Sequence, residues 1–202
     1  MSIEVIMRRI AFGVLVAISI APWPGSFSMP AHAAEGQDIT KLKERFNYLS
    51  QHGNVECSVQ FEKLIGTMTP DSRLQGSCCA PMDEARYRQQ LDGLKKYSEI
   101  AETPPDPYDI PAPLAYKLMG YYELALNKEE QHAYDYAMRH SDMQGPCCCK
   151  CWRWKVYGGL GKYLIHTRHY TGQQLTDYGM LDKVAAVPLM QKCTSTHIRP
   201  VT

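Results

Sequence analysis

Apolar residues recur along this chain at intervals of three and four, the period that gathers them on one face of a helix. Ile39, Leu42, Phe46 and Leu49 predict a first helix with Asp38 as its N-cap, and Val59, Leu64, Ile65 and Met68 predict a short second one closed by Pro70. Residues 71–81 carry no period and read as a loop holding Cys78 and Cys79. Tyr87, Leu91, Leu94 and Ile100 predict a third helix from Asp83 to about Ile100. Five prolines between Thr103 and Pro113 predict a stiff, extended connection over the surface. A fourth helix follows from near Pro113 to Leu126, and a fifth from Lys128 to His140. Trp152, Val156, Leu160, Tyr163 and Leu164 predict a sixth helix from Trp152 to His166, and Leu175 to Val187 a last one stopped by Pro188. Gly158, Gly159 and Gly161 weaken the sixth helix by roughly 1 kcal/mol each against alanine, which suggests a close approach by another backbone or a kink. No segment reads as a strand and none repeats. The expected fold class is all-α, a compact single-domain helical bundle with a Pro-rich connection and cysteine-rich loops.

The amino-terminal segment has a different pattern. Arg8 and Arg9 precede an apolar run from Ile10 to Ala21, broken by Pro22, Trp23, Pro24 and Gly25. That run suits the core of an export signal and is short for a membrane span of about 20 residues. Ala31-His32-Ala33 offers small residues where a signal peptidase cuts. The expectation is a signal peptide over 1–33 and a cysteine-rich helical domain over 34–202, periplasmic or secreted, with no membrane span after cleavage. Loss of Glu4, Arg8 and Arg9 leaves equal numbers of acidic and basic residues. A neutral chain gives no support for nucleic acid as a partner.

Chemistry concentrates in sulfur. All eight cysteines fall after residue 33: Cys57, Cys78, Cys79, Cys147, Cys148, Cys149, Cys151 and Cys193. Four of them crowd into Pro146-Cys147-Cys148-Cys149-Lys150-Cys151, where chain neighbours cannot all form ordinary disulfides with one another. Pro146 is suited to open a helix, whose positive end, with Lys150, Arg153 and Lys155, would favour thiolate in the first turn. Clustered thiolates point to a soft ion, copper(I) first, with zinc or mercury as chemical alternatives. The expected metal ligands are Cys147, Cys148, Cys149 and Cys151, closed by Cys78 and Cys79; Cys57 and Cys193, far away in sequence, read as structural. Met82 and Met143 lie close to cysteine groups, though methionines at helical spacing are usually core. His140 is the best placed histidine for a mixed site. Trp152 and Trp154 read as core tryptophans in preference to an aromatic lid over the site, with Arg153 between them facing solvent.

Two other readings of the same thiols stand beside this one. Cys148 and Cys151 form a Cys-x-x-Cys pair, which a thiol–disulfide oxidoreductase could use. Alternatively, four disulfides could staple a secreted scaffold that binds a protein partner. Covalent haem is excluded by Trp152 in place of the histidine that would follow Cys-x-x-Cys. No Ser-His-Asp grouping, phosphate-binding glycine loop or His-Glu-x-x-His motif supports a hydrolase or transferase.

Pro146, Cys147, Cys149 and Cys151 resemble the signature of exported bacterial proteins named for a Pro-Cys-Tyr-Cys-Gly-Cys motif. Cys148 replaces the tyrosine and Lys150 the glycine, and the downstream Gly-His and cysteine elements are not visible in 153–165. The resemblance spans about six residues. It implies an exported, thiol-rich, metal-handling protein and no particular reaction.

Overall fold

A computed structural model of the chain describes residues 31–78, 81–140 and 150–178. Among these residues the chain forms α1 (Ala31–Gln51), α2 (Val59–Ile65), β1 (Arg73–Gln75), α3 (Glu84–Lys95), β2 (Asp109–Pro111), α4 (Ala112–Tyr122), α5 (Lys128–His140), α6 (Trp152–Arg168) and α7 (Gly172–Asp177). The fold is mostly helical, with one small sheet. No described helix is long and apolar enough to cross a membrane. Most of the expected signal segment, and the part of the expected last helix beyond residue 178, lie outside the described residues.

Helix α6 is the centre of the molecule. Trp152, Val156, Tyr157, Leu160 and Leu164 are buried, and so are Gly158, Gly159 and Gly161. Up to Ile165 only Lys155 and Lys162 on one face are half-buried, and a helix so widely buried belongs in a protein's interior. It packs chiefly on α4, with α2, α5 and α7 also in contact. The glycines explain how α4 comes so near. A Cβ on Gly159 would lie 1.8 Å from the Leu118 carbonyl oxygen and 2.8 Å from the Tyr122 nitrogen. One on Gly158 would meet the Tyr122 ring and the Tyr134 hydroxyl. The helix ends at His169, whose left-handed conformation (φ 56°) lets the following Tyr170 N–H donate back to the Leu164 carbonyl at 3.1 Å.

Several sequence expectations are corrected. β1 and β2 pair antiparallel, with Leu74 opposite Ile110, so the 71–81 segment is not wholly loop. Strands of three residues are too short to display a period of two. Burial of the Leu74–Ile110 pair and the Arg73–Asp109 ion pair stabilise them instead. The proline-rich connection does not wrap the surface: Thr103, Pro104, Pro107, Asp109 and Ile110 are buried, and β2 lies inside it. Proline has no N–H to satisfy, and the buried Pro107 carbonyl accepts from Arg153 and from the Tyr157 hydroxyl. Asp38 is not an N-cap but lies within α1, which starts at Ala31. Asp83 does cap α3, accepting from the Arg86 N–H at 2.8 Å, but that helix closes at Lys95 in a run of turns.

Gly159→Ala is expected to lower stability by at least ~2 kcal/mol, because backbone of α4 must move. Gly93→Ala, in α3 with open space around it, should raise stability by about 0.5–1 kcal/mol. Urea denaturation of both variants checks the pair; a neutral Gly159→Ala would refute the close crossing.

Burial, as the leading cause, raises the pKa of Tyr87, Tyr134, Tyr157 and Tyr178; at Tyr87 the Asp106 carboxylate adds to it. The folded state therefore holds these protons more tightly than the unfolded chain. That contribution to stability is complete below the ordinary phenol value near ~10 and is lost as pH rises through the folded value. In an absorbance titration these four phenols should ionise only together with loss of helical circular dichroism. Their ionisation in a still-helical protein would contradict the burial.

Candidate metal centre

Three segments far apart in sequence bring sulfur to one place. Cys57 ends the irregular stretch between α1 and α2, Cys78 follows β1, and Cys151 is the residue before α6. Their Sγ atoms all lie within 4.8 Å of one another. Among the described residues this is the one group of metal-ligating side chains gathered so closely. Cys57 is exposed, while Cys78 and Cys151 are half-buried.

The backbone around each sulfur is fixed by named contacts. Asn54 acts as an extra rung on β1: its N–H donates to the Gln75 carbonyl at 3.0 Å, its Nδ2 donates to the Arg73 carbonyl at 2.9 Å, and its Oδ1 accepts from the Gln75 N–H at 2.8 Å. Gly76 has φ 81°, and a Cβ there would lie 2.6 Å from Gly53 Cα. Glycine is therefore needed both for the turn and for the contact between the two cysteine-bearing strands of chain. Ser58 caps α2, its hydroxyl accepting from the Phe61 N–H at 3.0 Å, which sets the exit of the chain after Cys57.

The two residues after Cys151 complete the arrangement. Trp152 is fully buried beside Phe61, with ring centroids 6.0 Å apart, and its Nε1–H donates to the Glu56 carbonyl at 3.0 Å. Arg153 is buried rather than solvent-facing: its Nη2 donates to the Gly76 carbonyl at 2.7 Å and its Nη1 to the Pro107 carbonyl at 2.6 Å. So the residue before Cys57 is held by Trp152, and the residue two before Cys78 is held by Arg153. Tryptophan at these positions is core, and Trp154 also packs inward, its Nε1–H donating to the Tyr122 hydroxyl at 3.1 Å.

Charge near the sulfurs is partly committed elsewhere. Lys155 lies one helical turn beyond Cys151 and pairs with Glu62 of α2 at 2.6 Å; that hydrogen bond, against the cost of burial, holds its pKa above the usual lysine value. Lys150 sits over the Trp154 ring, 5.6 Å from its centre. The positive end of the α6 dipole is directed at Cys151, a favourable place for an anionic sulfur.

Of the six cysteines expected as ligands, Cys78 and Cys151 are in the cluster; Cys79, Cys147, Cys148 and Cys149 lie outside the described residues, as does Cys193. The helical turn expected at Pro146 lies outside the described residues; α6 starts at Trp152 as its period predicts, with Cys151 extended at the N-cap. Cys57, read from sequence as structural, is the third member. The signal for it is local: Cys57 directly precedes a helix cap, as Cys151 occupies one. His140 is not part of the group; it stacks on Tyr136 at 3.9 Å, and its Nδ1 lies 2.8 Å from the Tyr136 carbonyl. His166 pairs with Glu130 at 3.0 Å.

No known protein family, curated protein or solved structure matches the chain.

Arg153→Met is expected to cost about 2–4 kcal/mol, since two buried carbonyls lose a charged donor. It should also slow the joint capture of Cys57 and Cys78 by a trivalent arsenical under conditions where the variant remains folded. Unchanged stability and unchanged capture would show that the guanidinium does not position the cluster.

Proposed function

We propose that this is an exported protein that binds a soft metal ion, copper(I) first, at a thiolate site made by Cys57, Cys78 and Cys151. The observation that carries the reading is the mutual approach of three sulfurs to within 4.8 Å. A trigonal ion with metal–sulfur bonds of about 2.3 Å holds its ligands about 4 Å apart, so a small contraction would complete the shell. Three thiolates without oxygen ligands favour soft ions. Tetrahedral zinc would require a fourth ligand. Further thiols are close in the chain: Cys79 adjoins Cys78, and Cys149 is two residues from Cys151, a reach of at most about 7 Å. They are the natural source of a fourth sulfur or a second ion. Export is supported by Arg8-Arg9, the apolar run from Ile10 to Ala21 and Ala31-His32-Ala33.

A disulfide between two of the three sulfurs is the second reading, and the same proximity favours it. Elemental analysis with thiol counting on protein purified without reductant separates the two: bound metal with protected thiols, or no metal and a bridge. Cys57→Ser, Cys78→Ser and Cys151→Ser should each weaken copper(I) binding by tenfold or more, on the order of 1.4 kcal/mol each. The triple variant should lose tight binding with its helical circular dichroism intact. Cys149→Ser combined with Cys151→Ser should also abolish tight binding if the upstream run contributes. Affinity should fall as pH falls, because protons compete for thiolate. Full affinity in the triple variant would sink the proposal.

A further inference from the structure

We infer that the ion is cargo, released to an acceptor thiol by exchange at Cys57, rather than a staple for the fold. The inference rests on the soft-metal reading above and names how that site gives up its ion. Two independent features carry it.

The first is that the ligands are placed by the protein's own bonds. Asn54 fixes the Cys57 loop to β1 through three hydrogen bonds. Trp152 holds Glu56, and Arg153 holds Gly76. Gly53 and Gly76 meet backbone to backbone. Beneath them Leu74, Ile110, Trp152 and Tyr157 are almost completely buried. A structural metal site supplies folding energy that its surroundings lack. Here the surroundings already have a core and a hydrogen-bond frame, so removal of the ion leaves the ligands in register.

The second feature is the asymmetry of access. Cys78 and Cys151 are half-buried and Cys57 is exposed. The residue after Cys151 is a fully buried tryptophan packed on Phe61, and Cys151 itself packs against the core. An incoming thiol therefore approaches from the Cys57 side. Its sulfur forms a bond to copper(I) as the copper–Cys57 Sγ bond breaks, and its proton passes to the Cys57 sulfur. Copper remains copper(I), so no oxidant or reductant is required. The ion is then held by Cys78, Cys151 and the acceptor, and loss of the remaining two bonds in the same manner completes transfer.

The test is site-resolved alkylation. Full-length protein, loaded with copper(I) and compared with the metal-free form, is treated with N-ethylmaleimide at increasing glutathione, and each cysteine is followed by peptide mass spectrometry. Circular dichroism of the metal-free form is recorded alongside. The metal should protect Cys57, Cys78 and Cys151. Glutathione should erase protection at Cys57 first, at concentrations about tenfold below those needed at the other two. The metal-free protein should retain its helical signal. Simultaneous loss of protection at all three, loss beginning at Cys78 or Cys151, or a metal-free protein without helical signal overturns the inference. Absence of protection at every one of the three is a different failure, and it removes the metal-binding reading itself.

Discussion

Arg153 is the residue on which the arrangement of the sulfurs turns. A buried guanidinium is costly unless its donors are used, and here it donates to the Pro107 and Gly76 carbonyls while lying over the rings of Tyr108 and Trp152 at 5.3 and 5.0 Å. Both carbonyls belong to irregular chain leading into or out of the short strands. Their path is set in part by one backbone bond between them, from the Gly76 N–H to the Tyr108 carbonyl at 2.8 Å. The guanidinium also holds that path from the start of the central helix, two residues after Cys151. Position at the helix start thus sets the course of the chain that carries Cys78, and Trp152 does the same for the chain that carries Cys57.

A second set of charges holds the other side of this frame. Asp109 is almost wholly buried and is paired with both Arg45 of α1 and Arg73 of β1. The two cations stabilise a carboxylate that could not otherwise be buried in ionised form. They also tie α1 to the sheet, so the exit of α1 toward Gly53, Asn54 and Cys57 has a fixed origin. Removing one arginine would leave the carboxylate less compensated, whereas the sheet alone, with three residues in each strand, has little capacity to absorb the loss. The cluster is therefore downstream of two polar centres, Arg153 and Asp109, as much as of the apolar core.

Helices were legible because their signals are long and local. Lys128–His140 has the same bounds in sequence and structure, and the start of α6 at Trp152 is also as expected. The glycine group in α6 left a close backbone approach and a kink both open, and Gly159 against the Leu118 carbonyl of α4 answers to the first. The short strands were not legible, since Leu74 and Ile110 become a pair only through contact across 36 residues. The same limit applies to the site. Density of cysteine pointed to thiol chemistry and to Cys78 and Cys151. From sequence Cys57 reads as structural, because distance along the chain says nothing of proximity when loops fold onto a helix start. Arg153 misled for a related reason: an arginine between two tryptophans suggests an exposed position, and only the tertiary carbonyls show why it is buried.

Three sulfurs pose a different chemical problem from two. A disulfide fixes one sulfur–sulfur distance at about 2.0 Å. Nothing in such a bond requires all three distances to be short. A central ion does require it, because each ligand must reach the same point. The arrangement around Cys57, Cys78 and Cys151 meets the three-way condition with contacts from three separate segments: Asn54 and Trp152 for the first, Arg153 for the second, and the start of α6 for the third. Independent placement of each partner is what a shared ligand set needs, and the geometry is in that respect compatible with a thiolate site.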